Sequence, residues 1–316
     1  MKYIKITIAV AVLFCWLASC ERDEVFEKEQ YKNVFALVSE SDNTVLKYHD
    51  LRRVESAGYV SASLGGTNSA GQDIVIQLTE DKSLIEEFNQ LNFDVDRAQY
   101  HPALSASKYR IDSDRITIPA DSVRGVLPIT VMPAGLSPDS VYMIALRIDA
   151  YNACEANSAK DYVLYQVRTK NWWAMSGGTA YTMRCNVRDV VADTRIDIPG
   201  TKKIYPLAAR KVRLLAGSEN NDLNKLEPVL YYSLALTIGD DNKVSIAPYK
   251  SVAVTQIDGD EDYPNIVKIE DDGFKTYKTF LLHYSYTGSD GKLYEIREEL
   301  RLEFNSKTEE PRFLEN

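Results

Sequence analysis

The chain has 316 residues, enough for two domains of ordinary size, and carries a formal net charge of −9 with 26% charged residues. This acidic balance, without a cluster of lysines or arginines in the body of the chain, excludes nucleic acid as a partner, because neutralising phosphates requires a basic surface. Four cysteines are too few for a fold held together by several disulfides.

Residues 1–19 are predicted to be a signal peptide. Two lysines lie within Met1–Lys5, Ile6–Leu17 is apolar except for Thr7, and two small residues precede Cys20. The stretch Leu17–Cys20 resembles the end of bacterial lipoprotein signals, which implies cleavage before Cys20 and attachment of a lipid anchor to it. A transmembrane helix is the alternative, but about twelve apolar residues fall short of the roughly twenty that a bilayer needs.

Residues 20–30 are predicted to be a solvated tether behind the lipidated cysteine. Five glutamates and aspartates between Glu21 and Glu29 are offset by Arg22 and Lys28 alone, and no apolar periodicity is present. An acidic run at this place resembles the surface-export signal of Bacteroidetes lipoproteins. The resemblance implies an outer-membrane protein, anchored by lipid, that faces the extracellular side.

Residues 31–170 are predicted to form a β-sandwich. Seven short segments alternate apolar and polar residues or are rich in β-branched and aromatic residues, and turn-forming clusters separate them. The segments are 34–38, 59–64, 74–78, 115–118, 125–131, 142–148 and 162–167. One helix is expected after Thr79 or Asp81, with Leu84, Ile85, Phe88 and Leu91 on one face, covering an open end or edge of the sandwich.

Tyr142 has the sequence setting of a tyrosine corner. It stands at the start of a late strand, after Leu136-Ser137-Pro138-Asp139. In this motif the tyrosine hydroxyl bonds to the backbone a few residues upstream, so Tyr142 is interpreted as structural.

The same region is similar to a family of Bacteroidetes proteins. The ordered motifs are Asp73–Leu78, Leu84–Asn89, Tyr100 before Pro102 and Leu104, Tyr109, and Ile116–Ala120. They resemble the N-terminal immunoglobulin-like domain, of unknown function, of surface lipoproteins from polysaccharide-utilisation loci. That domain also precedes chitinase-like endo-β-N-acetylglucosaminidase barrels. His101 and Ala103 depart from the family pattern, which affects the expected loop shape but not the fold.

Residues 171–316 are predicted to form a second all-β domain, an antiparallel sandwich or a small barrel. Alternation with one polar face is clear in 181–187, 230–238 and 294–304. Further strands are expected at 211–215, 244–246, 252–257, 266–269 and 279–286. This half resembles the second domain of unknown function that follows the first in non-catalytic family members.

Two cysteines, Cys154 and Cys185, remain after the signal and the lipid site are removed. They fall in different predicted domains, so two free buried thiols are favoured over the single bridge that the cell envelope would permit.

The sequence predicts no enzyme, metal site or cofactor. Phe93-Asp94-Val95-Asp96 resembles the start of the chitinase motif, but Ala98 stands where the catalytic acid belongs, and no (β/α)8 pattern follows. His49, His101 and His283 lack partners at zinc spacing. Asp258–Asp262 resembles the start of a calcium loop, but Tyr263 replaces the required glycine, which favours a solvated turn.

Trp172 and Trp173 are the candidate ligand-binding residues. They stand at the predicted junction, and sugars are recognised by an aromatic face beside polar groups, often in clefts between domains. The alternative is that the two tryptophans join the domains as packing residues. The 20 tyrosines, including Tyr231-Tyr232 and Tyr284–Tyr286, allow the same two interpretations.

The leading functional hypothesis is a non-catalytic surface lipoprotein that binds an oligosaccharide or polysaccharide, or assists the components of a glycan importer. An adhesin or pilus-like structural lipoprotein is a second hypothesis, which a strand edge open to pairing would favour. An unrecognised glycoside hydrolase is a third, which two carboxylates about 5–10 Å apart in a cleft would favour.

Overall fold

The computed structural model describes residues 33–66, 69–175, 178–219 and 226–305. The predicted signal peptide, Cys20 and the tether lie outside the described residues. Within those residues the regular structure is mainly β-strand, arranged as one sandwich and one strongly curved sheet. This confirms the predicted fold class.

The N-terminal domain contains ten strands and one α-helix. The strands are β1 (Val34–Leu37), β2 (Thr44–Asp50), β3 (Ser56–Gly65), β4 (Ile74–Glu80), β5 (Tyr109–Arg110), β6 (Arg115–Ile118), β7 (Arg124–Val131), β8 (Tyr142–Tyr151), β9 (Glu155–Ala156) and β10 (Tyr162–Lys170). They form two five-stranded sheets, in the orders β5-β7-β3-β1-β9 and β2-β10-β8-β4-β6. The inward residues of both sheets form one core, which includes Phe35, Val60, Ile76, Ile129 and Tyr165.

Helix α1 (Ser83–Phe93) covers the outer face of the second sheet. Asp81 lies just before it, and its carboxylate accepts hydrogen bonds from the backbone N–H and the hydroxyl of Ser83. Leu84 and Ile85 pack on Met143, Ala145 and Leu164 of β8 and β10. The helix therefore lies on a sheet face, not on an open end or edge as predicted. Leu91, expected on the packed face, is 87% exposed.

The predicted tyrosine corner is confirmed. The hydroxyl of Tyr142 accepts a hydrogen bond from the backbone N–H of Ser137, with 3.0 Å between nitrogen and oxygen. This bond holds the loop between β7 and β8 against the start of β8.

The C-terminal domain is one nine-stranded antiparallel sheet. Its strands are β11 (Thr179–Asp189), β12 (Thr194–Ala208), β13 (Lys211–Leu215), β14 (Ser233–Ile238), β15 (Val244–Pro248), β16 (Val254–Gln256), β17 (Ile266–Asp271), β18 (Thr276–Thr287) and β19 (Leu293–Phe304), and helix α2 (Leu226–Tyr232) precedes β14. The order is β15-β14-β13-β12-β11-β19-β18-β16, with β17 also paired to β18.

The two ends of this sheet meet. The backbone N–H of Val244, in β15, donates to the carbonyl of Asn265, and that of Val267, in β17, donates to the carbonyl of Asn242. The curvature encloses a core of inward residues, among them Tyr181, Leu236, Phe280, Ile296 and Leu300. The sheet therefore has the barrel-like form that was one of the two predicted outcomes.

The structure also corrects the predicted elements. Four strands were missed: β2, the 15-residue β12, and the two-residue strands β5 and β9. Residues 230–232, predicted as strand, belong to helix α2. The last strand of the sandwich ends at Lys170 and the first strand of the second sheet begins at Thr179, while the exact domain boundary after residue 170 stays a prediction.

Cys154 and Cys185 are free, as expected, although Cys154 is only half-buried. None of the described helices is long and apolar enough to cross a bilayer.

His49 is fully buried in the sandwich, between its two sheets. Its Nδ1 lies 3.2 Å from the carbonyl oxygen of Ser56 and its Nε2 lies 3.0 Å from the hydroxyl of Tyr165. A neutral ring with the proton on Nδ1 satisfies both contacts, since it donates to the carbonyl and accepts from the hydroxyl. Burial lowers the pKa of His49 from 6.5 to about 4.

We expect His49 to make the fold sensitive to mild acid. Because the unfolded chain takes up a proton near pH 6.5 and the folded chain only near pH 4, stability falls as the pH is lowered through that interval. Between pH 7.5 and 4.5, wild type should lose about 2–3 kcal/mol more of its free energy of unfolding than His49→Gln. Urea denaturation at the two pH values measures this, and equal losses in both proteins would contradict it.

Candidate functional site

Trp172 and Trp173 are buried and belong to the core of the C-terminal domain. They are 4% and 0% exposed, and their rings meet edge to face with centroids 4.6 Å apart. The Nζ of Lys278 lies 3.9 Å from the centroid of a Trp172 ring and donates to the Trp172 carbonyl oxygen at 2.8 Å. The expectation that these side chains offer an exposed face to a ligand is therefore not supported, because the core and Lys278 already cover them.

Asn171 holds the chain between the two domains and explains this burial. Its Oδ1 accepts hydrogen bonds from the backbone N–H groups of Trp173 and Ala174, at 3.0 and 2.8 Å. Its Nδ2 donates to the carbonyl oxygens of Ala208 and Lys211, at 2.7 and 3.1 Å. The tight turn directs both indole rings into the core of the second domain.

A cleft opens where β12 separates from β13. From Thr194 to Ile204 strand β12 pairs with β11, whereas its pairing with β13 begins only at Tyr205, opposite Arg213, and shifts register between Pro206 and Ala208. The gap forms a cavity of about 650 Å³, within the range of about 300–1,000 Å³ usual for small-molecule sites. We call it the β12–β13 cleft.

The outer part of the β12–β13 cleft is lined by exposed residues and its inner part by buried residues. Its outer part consists of solvent-exposed residues: Gly200, Thr201, Lys203 and Ser218. Its inner part consists of buried residues: Met183, Lys202, Leu214, Gly217, Val229 and Ser233. Tyr205 and Glu219, both half-buried, also line the cleft.

The Tyr205 ring packs against the guanidinium group of Arg213. The guanidinium carbon of Arg213 lies 4.6 Å from the Tyr205 ring centroid and 5.2 Å from that of Tyr249. The same guanidinium forms an ion pair with Asp139 of the N-terminal domain. A Cβ on Gly178 would lie 2.9 Å from the Tyr205 ring, so only glycine leaves room for the ring there.

Below the cleft lies a buried polar network centred on Glu298. Lys202 donates to the Glu298 carboxylate and, at 2.7 Å, to the carbonyl oxygen of Gly217. The Tyr284 hydroxyl donates to the other carboxylate oxygen at 3.0 Å and accepts from the Gly217 N–H at 2.7 Å. Burial, together with the Glu298 carboxylate, raises the pKa of Tyr284 well above its usual value, so the hydroxyl keeps its proton.

Cys185 lies beside this network in the sheet, directly opposite Glu298. Burial, with a further contribution from the Glu298 carboxylate, raises the pKa of the thiol to about 12. The thiol is therefore unreactive at neutral pH, because the thiolate is the nucleophile.

The cleft lacks the arrangement for glycoside hydrolysis. Of the described residues that line it, Glu219 alone carries a carboxylate, and that carboxylate accepts a hydrogen bond from the backbone N–H of Ser289 at 3.0 Å. Glycoside hydrolases use two carboxylates on either side of the bond to be cleaved. Glu298, the nearest other acid of the network, is 0% exposed and paired with Lys202.

A second charged cluster surrounds His283, at the loop interpreted from sequence as a solvated turn. The Asp260 carboxylate accepts from the Nε of Arg297 at 2.7 Å and lies 3.3 Å from His283 Nδ1. The Nε2 of His283 lies 3.0 Å from Glu295. Asp260 is thus paired with Arg297, while Asp258, Gly259, Glu261 and Asp262 of the same turn are exposed, as predicted. Over the described part of the chain, no group of three or more His, Cys, Asp or Glu side chains could hold a metal ion.

Sequence reasoning missed the residues that form the cleft and its floor. Tyr205 and Lys202 lie in β12, the strand that was not predicted. Glu298 carries a recognisable signal, because it occupies the inward position between Ile296 and Leu300 in an alternating strand. A carboxylate on the apolar face of a strand must find a buried partner, which could have directed attention to this site.

Comparison with known proteins covers both domains. One family model, for an N-terminal domain, matches residues 27–154, and its companion, for the C-terminal domain, matches residues 161–301. The chain belongs to this two-domain family. No curated protein matches the sequence.

Solved structures of Bacteroides proteins share the fold. A protein of unknown function from Bacteroides ovatus matches with a TM-score of 0.64 at 14% identity, over 92% of this chain and 96% of that chain. A multidomain protein including DUF1735, from the same species, matches with a TM-score of 0.61 at 14% identity, over 87% and 95% of the two chains. An auxiliary nutrient binding protein from Bacteroides thetaiotaomicron matches with a TM-score of 0.61 at 13% identity, over 84% and 94%. At these identities the likeness shows the fold.

We expect the buried pair of Lys202 and Glu298 to stabilise the C-terminal domain only as a pair. Lys202→Met leaves a carboxylate without its cation, and Glu298→Leu leaves a buried ammonium group, so each should lower the free energy of unfolding by about 3–5 kcal/mol. The double variant should recover most of that loss, because it buries no unpaired charge. Urea denaturation followed by tryptophan fluorescence measures all four proteins, and additive losses would disprove the coupling.

Proposed function

We propose that this protein is a non-catalytic, lipid-anchored surface protein that binds a glycan, or assists a glycan-capture and import complex, through the β12–β13 cleft. The observation that carries the proposal is the composition of the cleft wall. The half-buried Tyr205 lines the cleft together with residues that carry a hydroxyl, an amine and a carboxylate, namely Thr201, Lys203 and Glu219. Sugars present flat patches of C–H groups next to hydroxyls, and such a mixed wall suits them.

The similar structures support a binding role. One of them is described as an auxiliary nutrient binding protein, and it shares both domains with this chain. The presence of one lining carboxylate, where hydrolysis needs two, supports binding without cleavage.

The surface location is supported by the first thirty residues. Leu17–Cys20 resembles the end of a lipoprotein signal, and Glu21–Glu29 resembles the acidic run that precedes export to the surface. An outer-membrane lipid anchor and partners among glycan-importer components belong to the proposal on this basis.

An adhesin or pilus-like structural role is the second candidate, because of one strand edge. Among the described residues, Thr194–Lys203 of β12 pairs with β11 on one side and with no other strand on the opposite side. An open edge can accept a strand from another chain. Pro199 lies in the middle of this edge and lacks an N–H to donate, which favours the glycan-binding role.

We expect Tyr205→Ala to weaken glycan binding at least tenfold, because the aromatic face supplies the stacking surface, while Tyr205→Phe keeps binding within about twofold. Affinity electrophoresis against neutral and acidic polysaccharides measures the retardation of each variant. Phe274→Ala is the matched control, since Phe274 is 96% exposed at the hairpin between β17 and β18, away from the cleft. No retardation of wild type on any polysaccharide would refute a glycan-binding role for this chain.

We expect Cys20→Ala to release the protein from the membrane fraction, because the proposed anchor is attached to that thiol. Metabolic labelling with an alkyne fatty acid followed by membrane fractionation measures both lipid incorporation and location. Cys154→Ala should label as wild type does, which controls for acylation elsewhere. Labelling that persists in Cys20→Ala would place the anchor at another residue or remove it from the proposal.

A further inference from the structure

Two cations and an exposed aromatic ring meet on the N-terminal domain, around Tyr59 of β3. Tyr59 is 42% exposed and points outward, because its neighbours Gly58 and Val60 face the core between the sheets. The Nζ of Lys47, from β2 in the other sheet, lies 4.6 Å from the centroid of the Tyr59 ring. The guanidinium carbon of Arg124, from the adjacent strand β7, lies 5.7 Å from the same centroid. Cations from both sheets therefore converge on one accessible ring.

The Arg124 side chain lies along the outer face of the sheet. In the ladder between β3 and β7, Arg124 stands opposite Ser63, four residues from Tyr59. Its Nη2 donates a hydrogen bond to the Oγ of Ser61 at 3.1 Å. Because Ser63, Ser61 and Tyr59 point to the same side of the strand, the guanidinium reaches the ring by passing Ser61. Its position is thus set by the protein itself.

Neither of these cations is neutralised by a carboxylate. Over the described residues, Lys47 and Arg124 take part in no ion pair. By contrast, Arg52, Arg110 and Arg147 of the same domain each pair with an aspartate or a glutamate. The distances to the shared centroid place the two cationic groups no more than about 10 Å apart, which is about the screening length at 0.1 M salt. Their fields therefore add at this surface and attract an anion.

The chemistry of the two cations favours a carboxylate as the bound group. The π face of Tyr59 attracts both cations, which offsets part of their mutual repulsion. A guanidinium binds a carboxylate through two parallel hydrogen bonds, and an ammonium group acts beside it as a compact point charge. A carboxylate held by Arg124 and Lys47 would neutralise the charge that the ring leaves.

The surface around Tyr59 is an open sheet face. Neither the β12–β13 cleft nor a second cavity, of about 320 Å³, includes the ring or either cation. On β7, Val126 and Pro128 are exposed and stand opposite Ser61 and Tyr59. An open face admits the interior of a long linear polymer, whereas enclosed sites select small molecules. Two cations are too few for nucleic acid, which is bound through many phosphate contacts.

We propose that the outer face of the N-terminal domain, at Lys47, Tyr59 and Arg124, is a second ligand site that binds an acidic polysaccharide through its carboxylates. Lys47 and Arg124 hold the carboxylates, and Tyr59 and Ser61 position the two cations. The site is separate from the β12–β13 cleft, whose lining residues all belong to the C-terminal domain. The inference goes beyond the proposed function, because it adds a site formed by other residues.

Polymers with and without charge test this site. Polygalacturonate, alginate and hyaluronate carry carboxylates, and methyl esterification of polygalacturonate removes its charge while keeping its backbone. In isothermal calorimetry with the full-length protein at low salt, we expect at least one acidic polymer to bind. For polygalacturonate, esterification should weaken binding at least tenfold, and added salt should weaken it too. No heat with any of the three polymers, or equal affinity for polygalacturonate and its ester, would overturn the inference.

Substitution of the two cations tests their role. Lys47→Gln combined with Arg124→Gln should weaken acidic binding at least tenfold while the urea midpoint stays at the wild-type value. The matched control is Lys82→Gln combined with Arg97→Gln, which removes the same charge from exposed residues before and after helix α1 of the same domain. The control should bind as wild type does. An equal loss in both double variants would show an effect of overall charge and overturn the site.

Two further measurements separate this site from the alternatives. Tyr205→Ala should leave the affinity for acidic polymers unchanged, and a loss there would place the acidic sugar in the β12–β13 cleft instead. Acidic binding that survives Tyr205→Ala would support the second site even if the cleft bound no glycan. Poly-L-glutamate tests a peptide ligand, and binding as tight as that of the polysaccharides would overturn the assignment to a sugar.

Discussion

The C-terminal domain depends on one buried ion pair. Lys202 and Glu298 lie on strands β12 and β19, which are separated in the sheet by β11, and each charge is almost completely removed from water. Burial of two charges is tolerated only when their remaining hydrogen-bonding capacity is satisfied, and here Tyr284 and the backbone of Gly217 do so. The network fixes the turn after β13 relative to β12, and so it sets the width of the cleft between them.

Arg213 connects the wall of the cleft to the N-terminal domain. Arg213 lies against Tyr205 on one side and reaches Asp139 of the N-terminal domain on the other. Asp139 in turn follows Ser137, whose backbone is held by Tyr142. A packing motif in the first domain thereby supports an aromatic ring in the second through Arg213, while the residues that line the cleft all belong to the second domain.

The sequence predicted the fold where alternation was regular and failed where backbone-breaking residues interrupted it. Residues 115–118 were assigned with the observed bounds, because their buried and exposed residues alternate. Residues 211–215 were also assigned with the observed bounds, although Val212, Arg213 and Leu214 are all buried. Strand β12 was missed because Pro199, Gly200 and Pro206 interrupt its pattern, and these residues are tolerated there since most of one edge is unpaired.

The candidate site was predicted less well than the fold. Trp172 and Trp173 met the chemical requirement for sugar recognition, but their burial depends on Asn171. Two of its four hydrogen bonds reach Ala208 and Lys211, which lie 37 and 40 residues further along the chain. No local pattern reports such contacts. Tyr205 could not be singled out from the other tyrosines without knowing that β12 and β13 part beside it.

The reactivity of the buried Cys185 thiol can be used to measure local opening of the C-terminal sheet. Its thiol is enclosed next to Glu298 and stays protonated at neutral pH, whereas Cys154 is half-buried in the other domain. A thiol-directed reagent reaches Cys185 only when strands of the closed sheet separate. The rate of Cys185 modification therefore depends on how often the C-terminal domain opens. Modification of Cys185 therefore reports local opening of the C-terminal domain.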